Sequence, residues 1–472
     1  MAPSPQSHRL GHRNPAFGGG IGLQSQHDPR VEGRAGGGSA DVQTPSGTVK
    51  KLVQTPHATQ RLAATVPVTP HSTPALPDGP VDPPRPLTIL IGADTFAPDV
   101  NGAARFAERL AAGLVERGHE VHILAPAPDH RHVGTFVEEI EGAPMTVHRA
   151  RSWRWYPHDW LRFVVPWRSR HYARRALDTV QPDVVHFQSH IVIGRGLSIE
   201  AEKRGIRIVA TNHTMPENIV DFTKMPHWFN KILIRTQWKA AERAFDRAEA
   251  VTTPTRKAAE FLESNTHIRP VLPVSCGIDA SHYTADLTPR TTKRIIFVGR
   301  ITFEKHLHVL LQAVAKLDPS EYDGVDIVGG GDRVNDLKAQ VAKLGLEDRV
   351  VFHGRVDEGE LRTLYTQAAV FAMPSIAELQ SIATMEAMAS GLPVVAANAM
   401  ALPHLVHDGE NGWLFDPESA DDLAEKLRRV LSASPEEYSA MQQASLKGVE
   451  IHDIARTLST FEALYRGETV GK

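Results

Sequence analysis

The sequence predicts an α/β protein built from two doubly wound parallel-sheet domains that face one cleft. Three observations lead there. Short, continuous apolar runs, the pattern of strands buried on both faces, alternate with stretches of helical period. The alternation comes in two consecutive blocks. The body after residue 86 has 386 positions, more than the roughly 250–300 residues one hydrophobic core supports.

The elements follow in order. LTILIGAD (87–94) reads as the first buried strand, and TFAPDVNG as the loop after it. Ala103, Phe106, Ala107, Leu110 and Leu114 then recur at helical spacing, Gly118 stops the helix, and 120–125 return as a strand. This is a βαβ unit. Further strands are predicted at 183–188, 207–213 and 250–255, and a second block supplies 294–300, 325–331, 349–354, 369–375 and 393–398. Ser434, Pro435 and Glu437 form a capping box that opens a long terminal helix. The boundary between blocks falls near 270–279. The domains are therefore a leader (1–86), a first domain (87–272), a second domain (273–433) and a terminal helix (434–466).

Composition excludes several classes. Residues 1–86 hold 14 of the 33 prolines, 11 of the 35 glycines and one aromatic residue, Phe17. Such a segment buries too little apolar surface to offset its ordering entropy, and it reads as a disordered leader. Its charge is +3 against −3 for the whole chain, which leaves an acidic body. A lone cysteine, Cys276, excludes a disulfide framework and fits a reducing compartment. No apolar run approaches the roughly 18 residues of a membrane-spanning helix, and the leader lacks the apolar core of a secretory signal. The near-neutral total argues against general nucleic-acid binding. Walker-type and dinucleotide glycine motifs are absent, as is an Asp-x-Asp that would hold a divalent metal.

Four features are candidate sites. Arg300 ends a predicted strand and Lys305 opens the next helix in ITFEKHLHVLLQAV. Cations are unfavourable at a helix N-terminus, so the pair makes sense with an anion such as a diphosphate between them; a solvated loop edge is the alternative. In AELQSIATMEAMASGLPVV, Glu378 and Glu386 lie eight residues apart, about 80° of helical rotation, so they do not share one helix face. Glu378 is expected on the loop, Ser381 at the N-cap and Glu386 two turns inside. Backbone N–H groups of Leu379, Gln380, Ser381 and Ile382 then face a phosphate. Glu386 is suited to two ribose hydroxyls, unless it is a solvent-facing helix residue. His213 ends a strand at the ligand-binding edge of the sheet, with a structural role equally open. His186 and His190 share that ambiguity and rank lower. Asn101 and Gly102 permit close approach of backbone to a ligand.

VGR…EK, the Glu-x7-Glu pair and ALPHLVHDGENGWLF together resemble the retaining nucleotide-sugar glycosyltransferases of family 4, which have the GT-B fold, and in particular bacterial glycolipid glycosyl- and mannosyltransferases. The resemblance covers roughly 87–466. It implies a nucleotide sugar in the second domain and the acceptor in the first. Arg300 and Lys305 would neutralise the diphosphate, Glu386 hold the ribose, Glu378 contact the sugar, and His213 sit beside the reacting centre. Gly102 would meet the phosphates, backbone near Arg355 and Val356 would read the base, and the terminal helix (434–466) would cross back to pack on the first domain. No cofactor and no metal are implied. Two departures stand out: Asn101-Gly102 replaces a Gly-Gly pair, and Gln380-Ser381 replaces Phe-Gly, a variation similar to relatives that glycosylate diacylglycerol or other lipids.

Residues 149–175 hold eight arginines, four of the seven tryptophans and one acid, a charge of +7 in an acidic body. Arg151, Trp153, Arg154, Trp155, Trp160, Arg162, Trp167 and Arg168 have the composition of a membrane-interface surface. The stretch 227–245 is a second candidate, with Lys231, Arg235, Lys239 and Arg243 at helical spacing. A packed hairpin and helix with solvated basic faces is the alternative for both. The expected function is retaining transfer of mannose or glucose from a GDP- or UDP-sugar to a lipid at the cytoplasmic face of the cell membrane, by a peripheral protein. Alternatives are the same chemistry on inositol phosphate or a polysaccharide, or a module that binds sugar nucleotide or membrane without turnover.

Overall fold

The computed structural model describes residues 85–99, 101–154, 162–217, 227–288 and 291–470. The leader up to residue 84, Trp155 and Trp160 lie outside them.

The first half runs β1 (Thr88–Gly92), α1 (Gly102–Glu116), β2 (Glu120–Pro126), β3 (Gly134–Ile140), β4 (Ala143–Ala150), β5 (Ser152–Arg154), β6 (Arg162–Val164), α2 (Pro166–Val180), β7 (Val184–Phe187), α3 (Ile193–Glu202), β8 (Arg207–Thr211), α4 (His227–Phe245), β9 (Ala250–Thr253), α5 (Arg256–Asn265) and β10 (Val271–Pro273). Its sheet has the order β10-β9-β8-β7-β1-β2-β4-β3, parallel except where β3 meets β4. The second half runs β11 (Arg294–Val298), α6 (Leu307–Val314), β12 (Gly324–Val328), α7 (Val334–Leu344), β13 (Val350–Gly354), α8 (Glu358–Gln367), β14 (Val370–Met373), α9 (Ile382–Ala389), β15 (Val394–Ala397), β16 (Gly412–Phe415), α10 (Ala420–Leu431), α11 (Pro435–Glu450) and α12 (Ile454–Arg466). Its sheet, β13-β12-β11-β14-β15-β16, is parallel throughout.

In each sheet the winding reverses beside the first strand, between β1 and β7 and between β11 and β14. Such reversals open a crevice at the carboxyl ends of the strands. The segments that follow β1, β11 and β14 carry Gly102, Lys305 and Glu378, so strand order alone brings the candidate residues to one edge.

The C-terminal end of α1 follows the sequence reading, with Gly118 at φ +87° just past the helix. Its start does not: Gly102, expected in the loop, is the first helical residue, and the Asn101 side chain caps it by accepting the Ala104 N–H at 3.0 Å. The hairpin of β3 and β4 was not foreseen: β3 is largely exposed and carries no apolar run, and its register is set by the Glu141-Gly142 turn, both residues at positive φ. The terminal segment corrects the expectation of one long helix. Its helices α11 and α12 break at residues 451–453, where the Asp453 side chain accepts the Ala455 N–H at 2.7 Å. Of the two, α11 stays on the second half, with Ser445 Oγ donating to Leu392 O at 2.8 Å. The other, α12, lies on the first half, where Phe461 meets Phe106 and Tyr465 reaches His186. One apolar cluster runs from the second sheet through α12 to one face of the first sheet, and a second cluster covers the opposite face.

Candidate functional site

A cleft of about 590 Å³ lies between the halves, lined by the loops after β1, β8, β11, β12, β13 and β14. Arg300 and Lys305 line it, together with Glu378 to Ile382, Glu386, Arg355, Val356, His213, Asn101 and Gly102. Their convergence from two sheets is the central geometric fact of the site.

Lys305 closes a 3₁₀ turn (Phe303–Lys305), and α6 begins only at Leu307, so it precedes the helix rather than opening it. Its ammonium donates to the Glu378 carboxylate; the two side chains are 13% and 11% exposed. Arg300 lies 3.7 Å from the buried Glu304 carboxylate, which also accepts Thr302 Oγ1 at 2.7 Å. Glu304 O receives the Ile376 N–H at 3.0 Å, which stitches the Lys305 turn to the loop bearing Glu378.

Ser381 is the N-cap of α9, and its side chain accepts the Thr384 N–H at 3.3 Å. Among the described residues, the amides of 379–383 donate to no backbone carbonyl, so this helix mouth is free to receive an anion. Glu386 is the fifth residue of α9, one turn inside and not two. The solvent-facing alternative for Glu386 falls away: it is 7% exposed, accepts Arg109 Nη2 at 2.7 Å on one oxygen and Tyr365 OH at 3.2 Å on the other. The Gln380 side chain turns toward the linker between the halves, where its Oε1 accepts the Cys276 N–H at 2.7 Å and its Nε2 donates to Ser275 Oγ at 3.1 Å.

His213 lies just past β8, its ring 4.8 Å from Phe106 and its Nε2 donating to Gln188 Oε1 at 3.0 Å. Burial pulls its pKa down to about 3, so the imidazole is neutral. His186 is a structural residue: it sits between Tyr465 OH and Thr211 Oγ1, each at 2.7 Å. His190 is buried against Phe245 away from the cleft lining. Burial raises the Cys276 thiol to about 12, which keeps it from acting as a nucleophile.

The glycines divide by role. A Cβ on Gly329 would lie 1.9 Å from Gly299 O, so that glycine answers to neighbouring backbone. A Cβ on Gly102 would meet nothing within 4 Å, so protein packing does not require glycine there.

Sequence reasoning missed Arg105, Arg109, Tyr283, Tyr365 and Thr255. The arginines did leave a signal: positions 102, 105 and 109 continue one face of α1 and interrupt its apolar pattern. Tyr365 and Thr255 carried none, because their roles come from contacts across the fold. Thr255 Oγ1, from the first half, donates to Leu379 O at 2.9 Å.

The arginine-tryptophan belt is only partly a surface. Trp153 (40% exposed) and Trp167 (80% exposed) are displayed, Arg151, Arg154 and Arg168 are exposed, and Arg162 pairs with Arg154 across β5 and β6. Arg149, however, is buried against Glu138, and Arg170 and Arg174 pair with Glu200, so the +7 overstates the displayed charge. The start of α4 displays Trp228 and Ile232 beside exposed Lys231 and Arg235. Among the described residues, no helix is long and apolar enough to cross a membrane, and no cluster of three His, Cys, Asp or Glu side chains could hold a metal ion.

Two doubly wound sheets joined across a cleft at their switch points define the GT-B architecture. HepE of Anabaena, solved in complex with UDP-glucose, matches it with a TM-score of 0.64 over 81% of this chain and 100% of its own, at 18% identity, a likeness of fold. The descriptions Glycosyltransferase Family 4 and Glycosyl transferases group 1 match residues 100–282 and 284–447. The chain belongs to this family of glycosyltransferases. Its relatives include the alpha-monoglucosyldiacylglycerol synthase of Streptococcus pneumoniae, 27% identical over 74% of this chain and 79% of the relative. They also include the GDP-mannose-dependent alpha-mannosyltransferase of Corynebacterium glutamicum, 25% identical over 78% of this chain and 85% of the relative.

Proposed function

We propose that the protein is a retaining hexosyltransferase that moves mannose or glucose from a GDP- or UDP-sugar to a lipid acceptor, working without a metal as a peripheral protein on the cytoplasmic face of the membrane. The observation that carries the reading is the meeting of Arg300, Lys305 and the free amides of α9 on one wall of the cleft, with Gly102 also in its lining.

In this reading the sugar–diphosphate bond breaks as the acceptor hydroxyl attacks from the same face through an oxocarbenium-like transition state. The hydroxyl proton passes to the departing phosphate oxygen. Arg300, Lys305 and the amides stabilise the charge that develops there, each charge-assisted contact contributing about 1.5–3 kcal/mol. Glu378 orients Lys305 and meets the sugar hydroxyls, Glu386 takes the ribose, and Arg355 and Val356 border the base. The neutral His213 lines the reacting centre without competing for that proton.

A lipid acceptor is favoured by the diacylglycerol relative and by the displayed Trp153, Trp167, Trp228 and Ile232 beside arginines and lysines, a surface suited to anionic headgroups. The test is a matrix of labelled UDP- and GDP-sugars against lipid extract, inositol phosphate and polysaccharide, with co-sedimentation on anionic and neutral vesicles. Label in lipid and salt-sensitive binding to anionic vesicles are expected. Label only in a soluble acceptor, or equal binding to both vesicles, refutes the lipid part.

A further inference from the structure

We propose that Arg109, on α1 of the first half, is a positioning residue for the donor: it holds the Glu386 carboxylate in the orientation that receives the ribose hydroxyls, so the donor site is complete only when the two halves are together. This rests on the ribose role given above to Glu386.

Glu386 comes from the second half and Arg109 from the first, yet they meet at 2.7 Å with side chains 9% and 14% exposed. An ionised carboxylate so enclosed requires a partner. Among the described residues, Arg109 is the one cation within ion-pair distance of it. Tyr365 OH takes the second oxygen, and the Tyr283 hydroxyl, which Arg109 also reaches, stands beside the same carboxylate. A carboxylate accepts up to four hydrogen bonds, so this one keeps acceptor capacity for ribose hydroxyls.

The placement of the guanidinium points the same way. Arg109 Nη2 also reaches Tyr283 OH at 3.4 Å, while Nη1 is buried without a partner among the described residues. Its position is therefore set by Glu386 and by Tyr283, which packs edge-on against Tyr365. Arg105 also bridges the halves, to Glu358 at 3.0 Å, but it shares that interaction with Glu141 and is 29% exposed. A general staple between halves is already present in Arg105; Arg109 ends on a residue that lines the cleft.

The test measures binding of UDP and GDP, and of their 2′,3′-dideoxy analogues, to the full-length protein by calorimetry. For the nucleotide that binds, the wild type is expected to prefer the ribo form by at least about tenfold, the loss of a hydrogen-bonded diol on a charged group. Arg109→Met is expected to lose most of that preference through weaker ribonucleotide binding, and to raise the donor KM more than it lowers kcat. If Arg109→Met does not fold, Arg109→Gln decides, because a neutral amide keeps a polar side chain there without the charge-assisted bond to Glu386. A folded variant that keeps the wild-type preference overturns the proposal and leaves Arg109 a staple. A wild type with no preference overturns the ribose role of Glu386 itself.

Discussion

Replacing Lys305 by alanine removes the ammonium that the structure aims at Glu378, on the cleft wall where the α9 amides are free. If that group neutralises a departing diphosphate, the lost contact is one charge-assisted hydrogen bond, about 1.5–3 kcal/mol, or about a 10- to 150-fold fall in turnover. The fold is expected to survive, because Lys305 lies in a 3₁₀ turn outside both apolar clusters. Glu378 loses its cation, so a drop in Tm of a few degrees accompanies the change, at roughly 2–4 °C per kcal/mol for halves of this size. The assay is single-turnover transfer at saturating donor, with thermal unfolding in parallel. Because Glu378 and Lys305 act on each other, Lys305→Ala in a Glu378→Gln background is expected to cost less than the two single effects combined. Turnover near that of the wild type in a folded Lys305→Ala protein refutes the role.

Gly102→Val separates packing from ligand approach. A Cβ there meets nothing within 4 Å, so Tm is expected to stay within a few degrees while kcat/KM falls at least about tenfold if the phosphates come against this backbone; unchanged kcat/KM removes Gly102 from the site. Glu108 predicts a pH dependence of stability. Burial raises its pKa from an ordinary 4.5 to about 7, against the lowering effect of Arg105. The folded state then holds a proton that the unfolded state has lost, so this group's contribution to stability falls by about 3 kcal/mol as pH rises from about 4.5 to about 7 and is flat above. Glu108→Gln is expected to flatten Tm across that window and to raise it at pH 8; a Tm profile with the wild-type slope contradicts the assignment.

Much of the fold was legible because parallel strands buried on both faces leave continuous apolar runs, and because β1, β11, β14 and β15 are such runs. The β3 and β4 hairpin was not, since β3 is exposed along most of its length and is placed by a two-residue turn. The break between α11 and α12 was also hidden: residues 451–453 contain neither proline nor glycine, and the helix ends there because the backbone pairs with the linker, Ile278 N–H to His452 O at 2.8 Å and Ile454 N–H to Ile278 O at 3.0 Å. At the site, residues on one loop and the helix it opens announced themselves through spacing, as Glu378, Ser381 and Glu386 did. Residues that act across the cleft did not, because Arg109 and Thr255 gain their meaning only from partners 277 and 124 positions away. The arginine belt erred in the opposite direction: its composition was plain, but the acids that neutralise Arg149, Arg170 and Arg174 lie at 138 and 200, outside the stretch.

Those long-range partners have a common destination. Thr255 of the first half ends on Leu379, the linker residues Ser275 and Cys276 end on Gln380, and Arg109 ends on Glu386. All three ties land on the segment 378–386, which also carries the free helix mouth. Parting the halves would release that segment on three sides at once, while Lys305, from its own half, would keep hold of Glu378. Whatever organises 378–386 therefore also favours the closed arrangement, and by linkage whatever favours closure strengthens binding to 378–386 by the same factor. The side chain of Gln380 then has a physical role of its own. With both an acceptor and a donor, it ties the loop after β14 to the linker through two hydrogen bonds, where an aromatic ring would only pack. The linker has little slack to absorb a change in that tie, since Gly277 holds φ +73° and a Cβ there would lie 2.7 Å from Ile454 Cδ1 and 2.8 Å from Thr457 Oγ1. If 378–386 holds the donor as proposed, its recognition depends on the crossing segments at 275–278 and 451–457 as well as on the residues that line the cleft.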